Sequence, residues 1–583
     1  MKRPDDLILI HAPSIYDFRK LPIMHGPISD VVPSTPIFEM YPIGFTSLSE
    51  YLERKGFKVR IINIAMKMIK DPDFDVEALM KKLNPRAFGF DLHWMPHVQG
   101  SLALAEMAKR LHPETPVLFG GLSSTYFHED LIQNYPFIDY VIRGDSTEEP
   151  MALLLGAIRK GVPPRDVPNV TWREGGEMRV NPLSYVPDTM NHITIDYGHI
   201  MKKVVKYRDM TGYVPFTNWL EYPVTAVFTC RGCSYNCRTC GGSAYGFARY
   251  ANRKKPAYRA PELLAEDIFR VCDHLNAPVM IIGDIYQAGE EYGERLLRTL
   301  KKRRLSNHIA FEFFKPPRRD QIEMIADCVE NFNFEISPES HDEKVRHAFG
   351  RYYNNDELER MIDDALELGC KRFDLFFMTG LPYQTYQSVL DTVEYSRKLL
   401  ERYGKTKRLY PFISPLAPFL DPGSEVFENP EKFGYKFFYR TVEEHRRAML
   451  SPSWQYILNY ETEWMTRSEI VYSTYEAGLR LNRLKKEYGL IDPGIADETD
   501  QRIREAVALM HKIDALVAED RRQEGHQGSL EELKDKMASL NISTVCFKKE
   551  LEWPTHFIRM NFLKIIKTVL LPSKPNILPE EKG

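Results

Sequence analysis

Four of the eight cysteines are gathered in one short run, Cys230-Arg-Gly-Cys233-Ser-Tyr-Asn-Cys237-Arg-Thr-Cys240. The other four, Cys272, Cys328, Cys370 and Cys546, are scattered and suit small apolar core positions. A disulfide framework belongs to short secreted chains, and this chain has 583 residues. Clustered thiols in a large chain point instead to metal chemistry in a reducing compartment. Two arrangements compete. Two C-x2-C knuckles can hold zinc, but the pairs then need roughly 12–20 residues between them. Only Ser234, Tyr235 and Asn236 intervene here, so zinc fits poorly. Cys233-x3-Cys237-x2-Cys240 can instead hold three irons of a [4Fe-4S] cluster and leave the fourth iron open. An open iron can be chelated by the amino and carboxylate groups of S-adenosylmethionine (SAM).

The elements around this run follow from hydrophobic periodicity. LILIH, FKVRIINI, AFGFDL, TPVLFGG and DYVIRGD read as strands, with helical segments between them. Such alternation means parallel βαβ units, and it predicts a doubly wound, Rossmann-like domain over residues 1–150. Residues 151–222, rich in Pro and Gly, read as a connector. A second alternating series, 223–440, has about six strands: VTAVFTC, APVMIIGD, HIAFEFF, NFEIS, RFDLFFMTG and RLYPFISPL. It predicts a (βα)6-type partial TIM barrel, whose chemistry sits at the carboxyl ends of strands. The cysteine run follows the first of these strands. Residues 441–583 read as a helical C-terminal region. The fold class is therefore α/β with two parallel sheets and a helical tail.

Arg231-Gly232-Cys233-x3-Cys237-x2-Cys240 after a first barrel strand resembles the cluster loop of radical SAM enzymes with an N-terminal cobalamin (B12)-binding domain. Thr239 stands where that superfamily usually has an aromatic residue, and Cys230 where it often has a small one. The resemblance implies that Cys233, Cys237 and Cys240 are the catalytic cluster ligands. It implies SAM contacts at Gly283-Asp284, at Glu339 and Ser340 of Ile336-Ser337-Pro338-Glu339-Ser340, and at Gly380 and Pro382 of the Gly380-Leu381-Pro382 segment. Ser337 replaces the usual glycine, and Lys315 is a further candidate. In the first domain Gly120, Gly121, Ser123 and Ser124, with Gly144 and Asp145 of Arg143-Gly144-Asp145, are implied cobalamin contacts. Pro42-Ile43-Gly44 fits the same pattern. A D-x-H-x-x-G loop is absent: Asp91-Leu92-His93 begins like one, but Pro96 takes the glycine position. His93, Trp94 and His97 then read as packing or pocket-lining residues.

The implied activity is reductive cleavage of SAM to a 5′-deoxyadenosyl radical, with cobalamin-dependent methyl transfer to an unactivated carbon. Rearrangement, ring formation or coupling on the same scaffold is an alternative, as is a non-enzymatic metal protein using Cys230 as a fourth ligand. The hydrophobic fraction is 43% and the charged fraction 27%, with a formal net charge of -3. Those values suit a globular protein and give no basic excess for nucleic-acid binding. No run of about 18 apolar residues and no signal peptide is evident, so a cytoplasmic enzyme is expected. Its implied partners are a small-molecule, lipid or peptide substrate and a reductant such as flavodoxin or ferredoxin. The segment His556 to Leu571 mixes apolar residues with Arg559, Lys564 and Lys567. It reads as a terminal helix docked on the barrel, or as a basic amphipathic helix at a membrane surface.

Overall fold

The computed structural model describes residues 4–27, 30, 32–416, 419–520, 532, 533, 537, 539, 545–556 and 558–570. Within the region expected to be helical, the segment SLEELKDKMASL (529–540) falls largely outside them. In the first sheet, β1 (Leu7–His11), β2 (Val59–Asn63), β3 (Phe88–Asp91), β4 (Val117–Gly120) and β5 (Tyr140–Ile142) are parallel. The spatial order is β2-β1-β3-β4-β5, so it reverses at β1, a switch point of a doubly wound sheet. β1 is buried along its whole length, as its unbroken apolar run requires of a parallel strand covered on both faces.

The first sheet does not end at residue 150. β6 (Val170–Glu174) and β7 (Glu177–Val180) continue it antiparallel within the predicted connector. Gly175 and Gly176 form their two-residue turn, both with positive φ (59° and 88°). That is the chemistry of a tight hairpin rather than of a linker.

The second sheet runs β8 (Thr225–Phe228), β11 (Val279–Ile282), β12 (Ile309–Phe313), β13 (Phe332–Glu339), β14 (Arg372–Thr379) and β15 (Leu409–Pro415), parallel and in sequence order. The short strands β9 (Cys230–Arg231) and β10 (Ala257–Tyr258) form a separate antiparallel pair beyond the end of β8. The barrel is open, and other elements cover its edges. Tyr197 Oη donates to Ala226 O and accepts from Ala226 N along β8, at 3.3 and 3.2 Å. Helix Arg467–Glu487 packs along β15 and β14, with Thr474 bonded to Thr379 at 2.8 Å. The C-terminal region is not wholly helical: β16 (Tyr435–Phe437) pairs antiparallel with β17 (Tyr460–Thr462) across the expected boundary at 440/441. Residues 545–556 form a strap that holds one 3-10 turn, Lys548–Leu551. Among the described residues no helix is long and apolar enough to cross a membrane.

The strand ends of both sheets are tied together by arginines of the β8–β9–β10 region. Arg231 donates to both carboxylate oxygens of Glu148, at 2.7 and 2.5 Å. Glu148 opens helix Glu148–Lys160 just after β5. Arg253 pairs with Asp145 and donates to Ser146 Oγ at 3.2 Å. Burial opposes ionisation of Glu148, but Arg231 outweighs it and holds the carboxyl below its usual range. A lowered folded-state pKa means the pair's contribution is present above about pH 4.5 and lost as pH falls through the folded value.

Arg231→Ala leaves a buried, unpaired carboxylate and is expected to cost about 3–5 kcal/mol. The double variant Arg231→Met/Glu148→Leu should recover much of that loss. Urea denaturation of both variants, loaded with cofactors as for wild type, measures the difference. A single variant as stable as wild type would show that the pair contributes nothing.

Candidate functional site

The cysteine run leaves the barrel at the end of β8. β9 and β10 lift it clear of the sheet, and Gly232 turns it with φ +87°. A Cβ at Gly232 would lie 2.6 Å from Arg253 Cδ, so the turn and the arginine tie share the same space. Cys233 Sγ receives the Tyr235 amide and the Gln287 side-chain amide, both at 3.4 Å. Asn236 donates to Glu425 at 2.9 Å and accepts from Tyr245 N at 3.2 Å. Gly241 N donates to Asp421 at 3.0 Å. On the far side, Gly350 (φ +113°) backs directly onto the loop, and a Cβ there would stand 2.8 Å from Asn236 O.

Burial pushes the Cys237 thiol up to about 11 and Cys240 further still. Such thiols become thiolates only against a strong local cation, which is what a metal cluster provides. Three thiols on one short loop fit the donor set of a cubane cluster, which takes each thiolate on a different iron. Cys230 Sγ lies 3.4 Å from Gly232 O and 3.9 Å from Gln287 Oε1, so Gln287 bridges it to Cys233.

Cys237 and Cys240 open onto a cavity of about 700 Å³ inside the barrel. Its wall also includes Trp94 of the first domain, Phe216 and Thr217 of the connector, and Leu551, Glu552 and Trp553 of the strap. Glu312, Glu335, Glu339, Asp374, Asp421 and Glu552 line it against only two cations, Arg351 and Lys548, so its interior is acidic.

Glu339 has φ +67°, which turns its carboxylate inward. One oxygen lies 3.4 Å from Arg351 Nε and Nη2, while Oε2 is buried with no partner. Burial outweighs Arg351 and raises Glu339 to about 7. Ser337 lines the cavity as well. Ser340 does not: its hydroxyl accepts the Asp342 amide at 3.1 Å. Asp284 is buried at the mouth of β11, accepts from Tyr286 N at 2.8 Å, and is raised by burial to about 6. Gly283 N donates to Glu312 at 2.7 Å. Gly380 has φ +92°, and a Cβ there would stand 2.5 Å from Tyr460 Oη. Its carbonyl accepts from Tyr435 Oη at 2.9 Å, and Pro382 is buried beside it. Neither Gly380 nor Pro382 reaches the cavity wall, which Met378 supplies instead. Lys315 is exposed.

The first-domain residues are engaged largely within the protein. A Cβ at Gly121 would lie 2.5 Å from His93 Cα. Ser123 Oγ donates to His93 O and Ser124 Oγ to Gly120 O, both at 3.2 Å. Gly144 N donates to Thr125 Oγ1 at 3.0 Å, and Asp145 is taken by Arg253. These groups brace the loops after β3, β4 and β5. What they leave at the carboxyl edge of β3 is Trp94, facing the cavity, and an exposed His93. Behind them His11 pairs with Asp91 at 3.0 Å, and His11 and His97 both reach the Phe38 carbonyl, at 3.0 and 2.9 Å. Burial keeps His97 neutral, near 4.

Residues 227–396 match the model of the Radical SAM superfamily, and residues 30–154 match that of the B12 binding domain. This chain carries a radical SAM domain and an N-terminal B12-binding domain. Its cofactors are accordingly a [4Fe-4S] cluster, SAM and cobalamin. An uncharacterized methyltransferase of Pyrococcus horikoshii is 26% identical over 203 residues, 35% of this chain. The chain spans 40% of that relative's length. The methyltransferase TsrM of Kitasatospora setae, solved with cobalamin and a [4Fe-4S] cluster, superposes with a TM-score of 0.55 at 14% identity. That match covers 92% of this chain and 99% of TsrM. The cobalamin-dependent radical enzyme OxsB, solved with aqua-cobalamin and SAM, gives 0.51 at 14% identity, over 93% and 78% of the two chains. Both similarities show a shared fold.

Arg351, Glu312, Glu335 and Trp553 were not expected from the sequence. For Glu335 a signal existed: in NFEIS it stands at alternate spacing with Ser337 in an otherwise apolar strand, which marks a polar cavity face.

Gly350→Ala forces a side chain into a left-handed backbone and against Asn236, at about 1–3 kcal/mol of local strain. The expected outcome is iron content well below wild type after reconstitution, with an unchanged far-UV spectrum. Full iron loading would show that the loop tolerates the shift.

Proposed function

We propose that the protein is a cobalamin-dependent radical SAM methyltransferase acting on an unactivated carbon of a substrate held in the barrel cavity. One observation carries this reading. Cys237 and Cys240 of the cluster loop and Trp94 at the carboxyl edge of the first sheet line the same cavity, so the reagents of both domains have one space in which to meet.

When bound, the cluster and SAM supply a 5′-deoxyadenosyl radical, and cobalamin supplies the methyl group. The chain positions and shields. Cys233, Cys237 and Cys240 hold the cluster. Glu339 and Asp284 would receive the SAM ammonium: both are buried carboxyls, Oε2 of Glu339 has no partner, and Asp284 stands at the end of β11 beside Gly283. Gly283, Ser340, Gly380 and Pro382 keep the strand-end turns that shape this site. Gly120, Gly121, Ser123, Ser124, Gly144 and Asp145 fix the first-domain loops that would wall the corrin. Leu551 and Trp553 close the barrel and exclude water, which protects a radical from quenching.

The decisive experiment is anaerobic reconstitution with iron, sulfide and hydroxocobalamin, then assay for 5′-deoxyadenosine and S-adenosylhomocysteine. Both products support the reading. The deoxyadenosine alone would favour rearrangement, ring formation or coupling. Neither product overturns it, and Cys230→Ala should not alter the result.

Asp284 and Glu339 ionise near 6 and 7 in the free protein. A cationic ligand prefers their charged forms, so SAM affinity should fall as pH drops below about 6. Asp284→Asn should weaken binding by roughly tenfold, the scale of one charge-assisted hydrogen bond, and flatten that slope. Equilibrium dialysis from pH 5 to 8 measures both.

The tail supports a further partner. Helix Phe562–Leu570 touches helices Tyr197–Tyr207 and Pro261–His274, with Thr568 bonded to His274 at 2.7 Å. Yet Phe562, Leu563, Ile566 and Leu570 are exposed, Leu563 by 82%, beside Lys564 and Lys567. An apolar patch with adjacent cations fits an anionic lipid surface on the cytoplasmic side. The protein should co-sediment with phosphatidylglycerol vesicles, and Phe562→Ser/Leu563→Ser should abolish this. Equal sedimentation of the variant would exclude the helix as the contact.

A further inference from the structure

The cavity holds a row of carboxylates that the proposed chemistry does not use. Glu312 stands opposite Glu335 in the β12–β13 register, and Glu335 opposite Asp374 in the β13–β14 register. Neighbouring strands lie about 4.8 Å apart, so the three form a lateral row across the barrel interior. All three line the cavity. The outer two have donors. Glu312 receives Gly283 N at 2.7 Å. Asp374 receives Arg372 Nε and the Trp553 indole, both at 2.8 Å.

Glu335, in the middle, has neither a donor nor a cation beside it. Its charged neighbours are the two flanking carboxylates. It is half-buried, and it forms part of the cavity wall. Burial and like charge push it well above the usual carboxylate range. A half-buried acid with unused acceptor capacity, set between two others, is an incomplete site. The group that would complete it is a cation carrying several N–H donors.

The row also has a place along the barrel. Glu335 precedes Glu339 by four residues on β13, but the strand is irregular between Ile336 and Glu339, and the paired stretch of β14 advances only from Asp374 to Phe377, about 10 Å at roughly 3.3 Å per residue. Glu339 is at the cysteine end, and the Trp553 strap lies at the other. The row therefore lies below Glu339 on the barrel wall, held by the β11 turn at Glu312 and by the Trp553 strap at Asp374.

We propose that Glu335, flanked by Glu312 and Asp374, binds a cationic nitrogen of the substrate. The substrate class is then organic amines, or related bases, whose reacting carbon lies on the order of 10 Å from that nitrogen, given the strand rise. This rests on the cavity being the substrate site of the proposed enzyme.

The test uses reconstituted holoenzyme saturated with S-adenosylhomocysteine, so that the SAM site is filled. Equilibrium dialysis compares 4-phenylbutylamine with its neutral isostere 4-phenylbutanol and with 4-phenylbutyrate. The amine is expected to bind at least about tenfold more tightly than the alcohol, the scale of one charge-assisted pair, and the carboxylate to bind least. Glu335→Gln should remove that preference and Glu335→Asp should keep most of it. If Glu335→Gln does not fold, Glu312→Gln in the same assay should reduce the preference. Equal binding of amine and alcohol to wild type overturns the proposal, as does a preference that survives these charge-removing variants. Absence of amine preference in the wild type, with normal 5′-deoxyadenosine formation, overturns this inference alone. Absence of 5′-deoxyadenosine with amine preference intact overturns the function and leaves the amine site standing.

Discussion

The structure depends on one constraint: two parallel sheets must present their carboxyl ends to each other. Each sheet alone would expose its functional edge to water. The arginines that join them come from the β9–β10 region flanking the cysteine run. Arg231 takes Glu148 and Arg253 takes Asp145 and Ser146. Domain docking and cluster-loop geometry are therefore one mechanical problem. The pairs are buried, where each partner is costly to leave alone. That cost penalises any arrangement in which the loop is displaced from the first domain.

The same logic explains why the interior is so acidic. Carboxylates in a cavity are unfavourable unless something cationic enters. Glu339 is only partly relieved by Arg351, and Glu335 not at all. The free protein thus holds unmet acceptor capacity at both ends of the space. The upper end suits the ammonium of SAM, and the lower end suits a second base. A cavity ordered in this way reads charge at two depths and selects by length as well as by sign.

Much of this was legible in the sequence. The cysteine spacing identified a cluster loop because three thiolates that close in sequence have few other uses. The six barrel strands were readable because parallel strands buried on both faces form continuous apolar runs. What escaped were interactions between distant residues. Asp145 was expected beside a cofactor, yet it holds Arg253, an ion pair that no periodicity announces. Ser340 was expected beside SAM and instead caps its own turn. The Gly175-Gly176 hairpin did carry a local signal, since alternating residues flank a turn dipeptide. Trp553 carried none: it reaches Asp374 across 179 positions of chain.

That last contact bears on how such a scaffold acquires specificity. A six-stranded barrel leaves an open side and an unfilled floor, and something must close both. Here Tyr197 of the connector covers the β8 edge, while the strap from Cys546 to Trp553 closes the floor. Trp553 N donates to the connector's Tyr222 Oη at 2.7 Å, so the two closing segments are joined. Neither segment lies within the matched domains. The carboxylate row that the strap meets, Glu312, Glu335 and Asp374, lies within the matched barrel domain, whereas Trp553, which donates to Asp374, does not. The cavity wall is thus shared between barrel strands that the fold fixes and a strap that the fold leaves free to vary.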